Sequence, residues 1–180
     1  MLRFVLILLV GFALARPAAA QTPAELMAGL VGEWEGALGY RDYQSNELFE
    51  LPVRTTLRLT EDGRTMIRTS RFDEGDAPAV WIIGLSAFDE ASGLYETAGF
   101  RAGRAMALTR EAATVSAFAD AAHWTIVFSE RGMDDDRAAD IRVTLTRSGD
   151  ETLAVKEADY LEDPAVNFEF RNQTRLRRTP

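Results

Sequence analysis

From Trp34 to the C-terminus, apolar and polar residues take turns along short runs, each cut after about 8–12 residues by turn-forming glycine, aspartate or proline. The clearest run begins at Phe49. Phe49, Leu51, Val53, Thr55, Leu57 and Leu59 alternate with Glu50, Pro52, Arg54, Thr56, Arg58 and Thr60. A two-residue period sends successive side chains to opposite faces of an extended chain, so each run predicts a strand with one buried face. The stretch Leu30–Tyr43 carries the first of them. Trp34, Gly36, Leu38 and Tyr40 point one way, and Glu33, Glu35, Ala37, Gly39 and Arg41 the other. Glycines inside a strand predict a bend or a close backbone approach, as at a barrel corner.

The later segments extend the pattern. Glu61-Asp62-Gly63-Arg64 predicts a hairpin turn into a return strand, Thr65–Phe72. Val80–Phe88 is apolar on both faces, which predicts burial on both sides or a sharp curl. Leu94–Arg101 and Arg104–Arg110 read as a pair, Thr114–Phe118 as a weaker strand, and His123–Glu130 as a stronger one with Trp124, Ile126 and Phe128 on one face. Arg131–Asp140 reads as an acidic loop. Ile141–Arg147 and Thr152–Asp159 form a hairpin, and Val166–Arg178 is a long final strand with Phe168, Phe170, Thr174 and Leu176 on one face. Arg104–Ala121 is rich in alanine and competes as a helix, but Thr109, Thr114, Val115 and Ser116 favour strand. About ten strands at this spacing predict an all-β barrel or sandwich.

Before the strands, Thr22-Pro23-Ala24-Glu25 is a capping box with proline at the first helical position, and Gly29 ends the helix after about two turns. It is expected to lie over the barrel end that Trp34 plugs. Further upstream, Arg3, the apolar run Phe4–Leu14 and Ala18-Ala19-Ala20 have the order of a secretory signal peptide covering residues 1–20. The domain is then 21–180, periplasmic or secreted, with no stable membrane anchor once the leader is cleaved.

The chain has no cysteine, which excludes disulfides, thiol chemistry and a lipid-modified N-terminal Cys. Stability must come from burial. Removing residues 1–20 takes away Arg3 and Arg16, so 18 basic residues face 28 acidic ones and the mature formal charge is 18 − 28 = −10. That balance argues against nucleic acid and against anionic lipid as partners.

The residues that carry chemistry are few. A serine–histidine–carboxylate arrangement has only His123 available, and no Gly-x-Ser-x-Gly surrounds a serine. No catalytic residue is assigned. Asp134-Asp135-Asp136 with Asp140 offers carboxylate oxygens but lacks the glycine and terminal glutamate of a calcium-binding loop, so it reads as solvated charge and no metal is assigned. Glu96 alternates with Leu94, Ala98 and Phe100. As an inward carboxyl it would be the one motive for a lumenal enzyme. Tyr40, Trp81, Phe100, Trp124 and Phe128 are the candidates to line a ligand cavity.

Gly32-Glu33-Trp34 after a short capped helix, with the arginine-rich strand Phe168–Arg178, resembles the start and end of calycins, the lipocalin and fatty-acid-binding superfamily. The stretch Leu85–Tyr95 resembles the centre of secreted bacterial lipocalin-like domains of unknown function related to DUF1579. The resemblance implies a single antiparallel up-and-down barrel with a small apolar or amphipathic ligand in its lumen. It also implies an arginine of the last strand packed over Trp34, Arg175 or Arg177, with Arg175 preferred. The nitrobindin-like haem barrels begin with a similar Gly-x-Trp-x-Gly. They bind haem through histidine, whereas His123 lies opposite the aromatic face and is expected to point to solvent. No cofactor is assigned. The alternative to a ligand carrier is an envelope module that acts through its outer surface.

Overall fold

The computed structural model describes residues 21–41 and 47–180, so the expected signal peptide lies outside the described residues. A short helix, α1 (Pro23–Ala28), precedes ten strands: β1 (Gly32–Arg41), β2 (Leu48–Leu59), β3 (Thr65–Phe72), β4 (Val80–Asp89), β5 (Leu94–Arg101), β6 (Ala107–Asp120), β7 (His123–Asp134), β8 (Arg137–Ser148), β9 (Glu151–Tyr160) and β10 (Glu169–Arg178). Each strand pairs antiparallel with the next, and β1 pairs with β10, so the sheet closes into a barrel without a free edge. The alternation thus predicts the fold class correctly, and the alanine-rich segment is strand.

Closure depends on Gly36. A Cβ placed there would sit 2.0 Å from the Arg175 carbonyl oxygen, so β1 and β10 meet at a separation that excludes a side chain. This is the close approach expected from the sequence.

One end of the barrel is a packed floor. Thr22 caps α1 through its side chain and Glu25 answers, as the capping box predicts. The helix drops Leu26 onto the end of the barrel, and Leu30 follows. Both pack with Trp34, Leu57, Trp124, Ile126 and Phe128 in one buried cluster. The Trp34 indole Nε1–H donates to the Leu30 carbonyl at 2.8 Å, which ties the helix exit to β1. Burying an apolar side chain of this size contributes roughly 1.5–3 kcal/mol, so the floor anchors the fold.

Three segments differ from expectation. Arg131–Asp140 is not a loop: β7 and β8 run on to a two-residue turn at Asp135-Asp136, both at positive φ (53° and 60°). This is the primed hairpin turn whose twist matches the strands, and aspartate tolerates it. Arg104–Arg110 and Thr114–Phe118 are not two strands: Arg104–Met106 lead into a single strand, β6, which has bulges at Val115/Ala117 and Phe118/Asp120. The final strand does not alternate throughout. A bulge between Phe170 and Asn172 inserts Arg171 and reverses the faces, so Phe168 and Phe170 stack with Arg142 and Arg41, while Thr174 and Leu176 point inward.

Candidate functional site

Directly paired residues of antiparallel strands share a face, so the register assigns the lumen residue by residue, starting from buried Trp34. Thr55, Ser70 and Ile82 lie across from Trp34 in turn, and one step toward the middle the same face carries Val53, Phe72 and Val80. On the far wall Phe128 pairs with Val143, which pairs with Lys156.

Above the floor the lumen turns polar. Arg68 occupies an inward position between Leu57 and Gly84, and its guanidinium lies over Gly84, 3.6–3.8 Å from where a Cβ would stand. Although inward, Arg68 is exposed, so solvent reaches this level of the lumen. It makes no hydrogen bond or ion pair among the described residues. Tyr95 and Glu111 are directly paired on β5 and β6, and both face the same interior. The Tyr95 hydroxyl is 2.7 Å from Ser86 Oγ, and its ring packs against Phe128 at 5.3 Å. Burial pushes the Glu111 carboxyl up to about 7, and the Glu130 carboxylate adds to the rise; Arg68 and Lys156 oppose it. Glu111 therefore exchanges its proton near neutral pH inside a barrel, where a carboxyl acts as hydrogen-bond donor or as anion according to what lies beside it.

Toward the mouth, Asp134 gathers three partners. Lys156 Nζ lies 2.6 Å from Oδ1, Arg171 Nε lies 2.6 Å from Oδ2, and the Tyr160 hydroxyl donates to Oδ2 at 3.0 Å. Burial works against ionisation here, but these partners outweigh it and hold the Asp134 carboxyl below the usual range. Also on the mouth side, Leu38, Tyr40, Leu51, Phe72, Val80 and Ile82, with the charged Glu74 and Arg101, line a small hollow of about 40 Å³. A larger concavity, about 630 Å³, lies on the outer wall between Arg54, Arg71, Arg177 and Glu35.

The residues singled out in the sequence scatter across these levels. Tyr40 lines the mouth hollow. Trp124 and Phe128 face inward but are sealed into the floor cluster with Trp34. Trp81 and Phe100 do not line the lumen. They alternate with inward Ile82 and Gly99 and stand exposed on the outer wall. The arginine over Trp34 is Arg178, 4.4 Å from the ring, and not Arg175. Register decides this: Arg178 pairs with Trp34, whereas Arg175 pairs with Ala37 on the outside. Glu96 is also outside, bound to Arg110 at 2.6 Å. His123 lies outside at the closed end, 2.9 Å from Asp120. Of the acidic run, Asp134 is buried in the mouth and Asp140 pairs with Arg131 on the surface. Among the described residues no group of three acidic or histidine side chains is placed to hold a metal ion.

Sequence reasoning missed Glu111 and Arg68. The signal for Glu111 was its alternation with Thr109, Ala113 and Val115, which the alanine-rich composition of the segment obscured.

No protein-family model matches the chain, and no curated protein matches it. Among solved structures it is similar to Rv2717c from M. tuberculosis, with a TM-score of 0.62 at 15% identity over 88% of this chain and 99% of that one. A protein of unknown function from the DUF3598 family of Nostoc punctiforme PCC 73102 aligns over 88% of this chain and 100% of that one, at 8% identity and a TM-score of 0.28. The first likeness shows a shared barrel fold and assigns no activity.

Proposed function

We propose that this barrel is a periplasmic or secreted lipocalin-like carrier, akin to the DUF1579-related domains, that holds a small amphipathic molecule in the mouth half of its lumen. The observation that carries the reading is the two-level interior. The floor is filled by Trp34, Trp124, Ile126 and Phe128. The level above it holds an inward, solvent-reached Arg68, which has no hydrogen bond or ion pair among the described residues, beside a proton-exchanging Glu111. A ligand's polar group would meet Arg68 and Glu111, and its apolar part would meet the mouth hollow at Leu38, Tyr40, Phe72 and Ile82. Apolar walls with a few convergent polar groups are the usual composition of small-molecule sites. Glu96, the carboxyl that motivated a lumenal enzyme in the sequence, is on the outer surface.

The test is a probe of the same character. Anilinonaphthalene sulfonate, an anionic amphiphile, should brighten on binding the purified protein, and Arg68→Ala should weaken it about tenfold or more, the worth of one charge-assisted hydrogen bond. Unchanged affinity in the folded variant would overturn the assignment of the polar group to Arg68. Native mass spectrometry of protein from its host, followed by solvent extraction, would identify the natural cargo.

A further inference from the structure

The outer wall over β3–β6 departs from the rest of the barrel surface. Outward positions on β1 and β2 carry Glu33, Glu35, Arg54 and Arg58. On β4 and β5 the outward positions from Trp81 to Leu85 and from Ala98 to Phe100 are instead apolar, with Glu96 at the floorward border. Of the two readings of Val80–Phe88, burial on both sides or a sharp curl, burial on both sides fails, because Trp81 is 54% exposed, Ile83 43% and Leu85 39%. The register makes them one surface. Ile67, Leu85, Ala98 and Leu108 form one cross-strand row, and Thr69, Ile83 and Phe100 form the next. Phe100 is 43% exposed and Leu108 69%.

We propose that this wall is a self-association surface through which two copies of the chain pack face to face. Area is the first argument. Five large side chains, each about half exposed and each carrying roughly 150–250 Å², leave on the order of 500 Å² of apolar surface open. That is the upper range of patches on monomeric proteins. With Ile67, Thr69 and Ala98 between them, the face approaches the roughly 800 Å² per partner of a stable interface.

Charge is the second argument. The mouthward border carries Arg71 paired with Asp73, and the floorward border carries Arg110 paired with Glu96. A two-fold axis lying in the plane of the interface and running across the strands sets the mouthward border of one copy against the floorward border of the other. Each border holds both signs, so the contact sets no single-sign border against its like. The formal net charge of −8 disfavours an anionic lipid surface as the alternative occupant.

Sedimentation equilibrium of the purified protein tests this. The protein should be a dimer at micromolar concentration, and Leu85→Glu should raise the dimer dissociation constant about a hundredfold by placing a carboxylate of each copy in the middle of the apolar wall. Phe100→Ser, which adds no charge, should raise it about tenfold, which keeps the test valid if one variant folds poorly. Hydrogen exchange should show concentration-dependent protection on β4 and β5. A monomer at all concentrations, a dimer indifferent to both folded variants, or binding of this wall to phosphatidylcholine vesicles in place of a second copy would overturn the proposal.

Discussion

Replacing Glu111 by glutamine should change how the barrel's stability depends on pH. The carboxyl has a value of 4.5 in the unfolded chain and about 7 inside the barrel. Between these values the folded state keeps the proton while the unfolded state has lost it. Stability therefore falls as pH rises from 4.5 through 7, and the loss is complete above that window. At about 1.4 kcal/mol per pH unit the penalty reaches about 3 kcal/mol at pH 8. Glutamine has nearly the shape of the protonated acid and carries no charge at any pH. The two proteins should thus be close at pH 5, and Glu111→Gln should be about 3 kcal/mol more stable than wild type at pH 8. For a domain of this length that corresponds to roughly 6–12 °C in Tm. Urea unfolding followed by tryptophan fluorescence at both pH values measures it. Asp134 does not confound the comparison. Its folded-state carboxyl is held below 3.8, so the stability it contributes is lost only as pH falls through that lower value. A wild-type-to-variant difference that is the same at pH 5 and pH 8 would refute the burial of Glu111 beside Glu130.

Two further substitutions probe closure and the floor. Gly36→Ala should destabilise by at least about 3 kcal/mol, because its Cβ meets the Arg175 carbonyl oxygen and no rotamer relieves a clash with backbone; thermal unfolding reads the result. Arg178→Ala should cost about 2 kcal/mol, since it removes hydrogen bonds to the Val31 and Gly29 carbonyls and the stack on Trp34. Arg175→Ala, on the outer face, should change stability by less than about 0.5 kcal/mol in the same urea titration.

The capping box at Thr22, the two-residue alternation and the glycine-marked turns are local signals, and local physics sufficed for them. Backbone dihedrals, caps and turn types depend on neighbours in sequence. From them the order of elements, the short helix and a count of about ten strands were legible, as was a close backbone approach at the glycines of the first strand. Alternation, however, only separates two faces and does not say which is inside. That decision belongs to closure, which fixes the register of β1 against β10 and passes it around the ring. Hence Val80–Phe88, apolar on both faces, turned Ile82 inward and left Trp81 outside. Glu96 fell on the outer wall while Glu111 was drawn in. A single inserted residue, Arg171, reversed the faces at the start of the last strand, and the pairing of Arg178 with Trp34 gave the indole its cover. Each outcome rests on pairings between residues far apart in the chain, and those exist only once the barrel has formed.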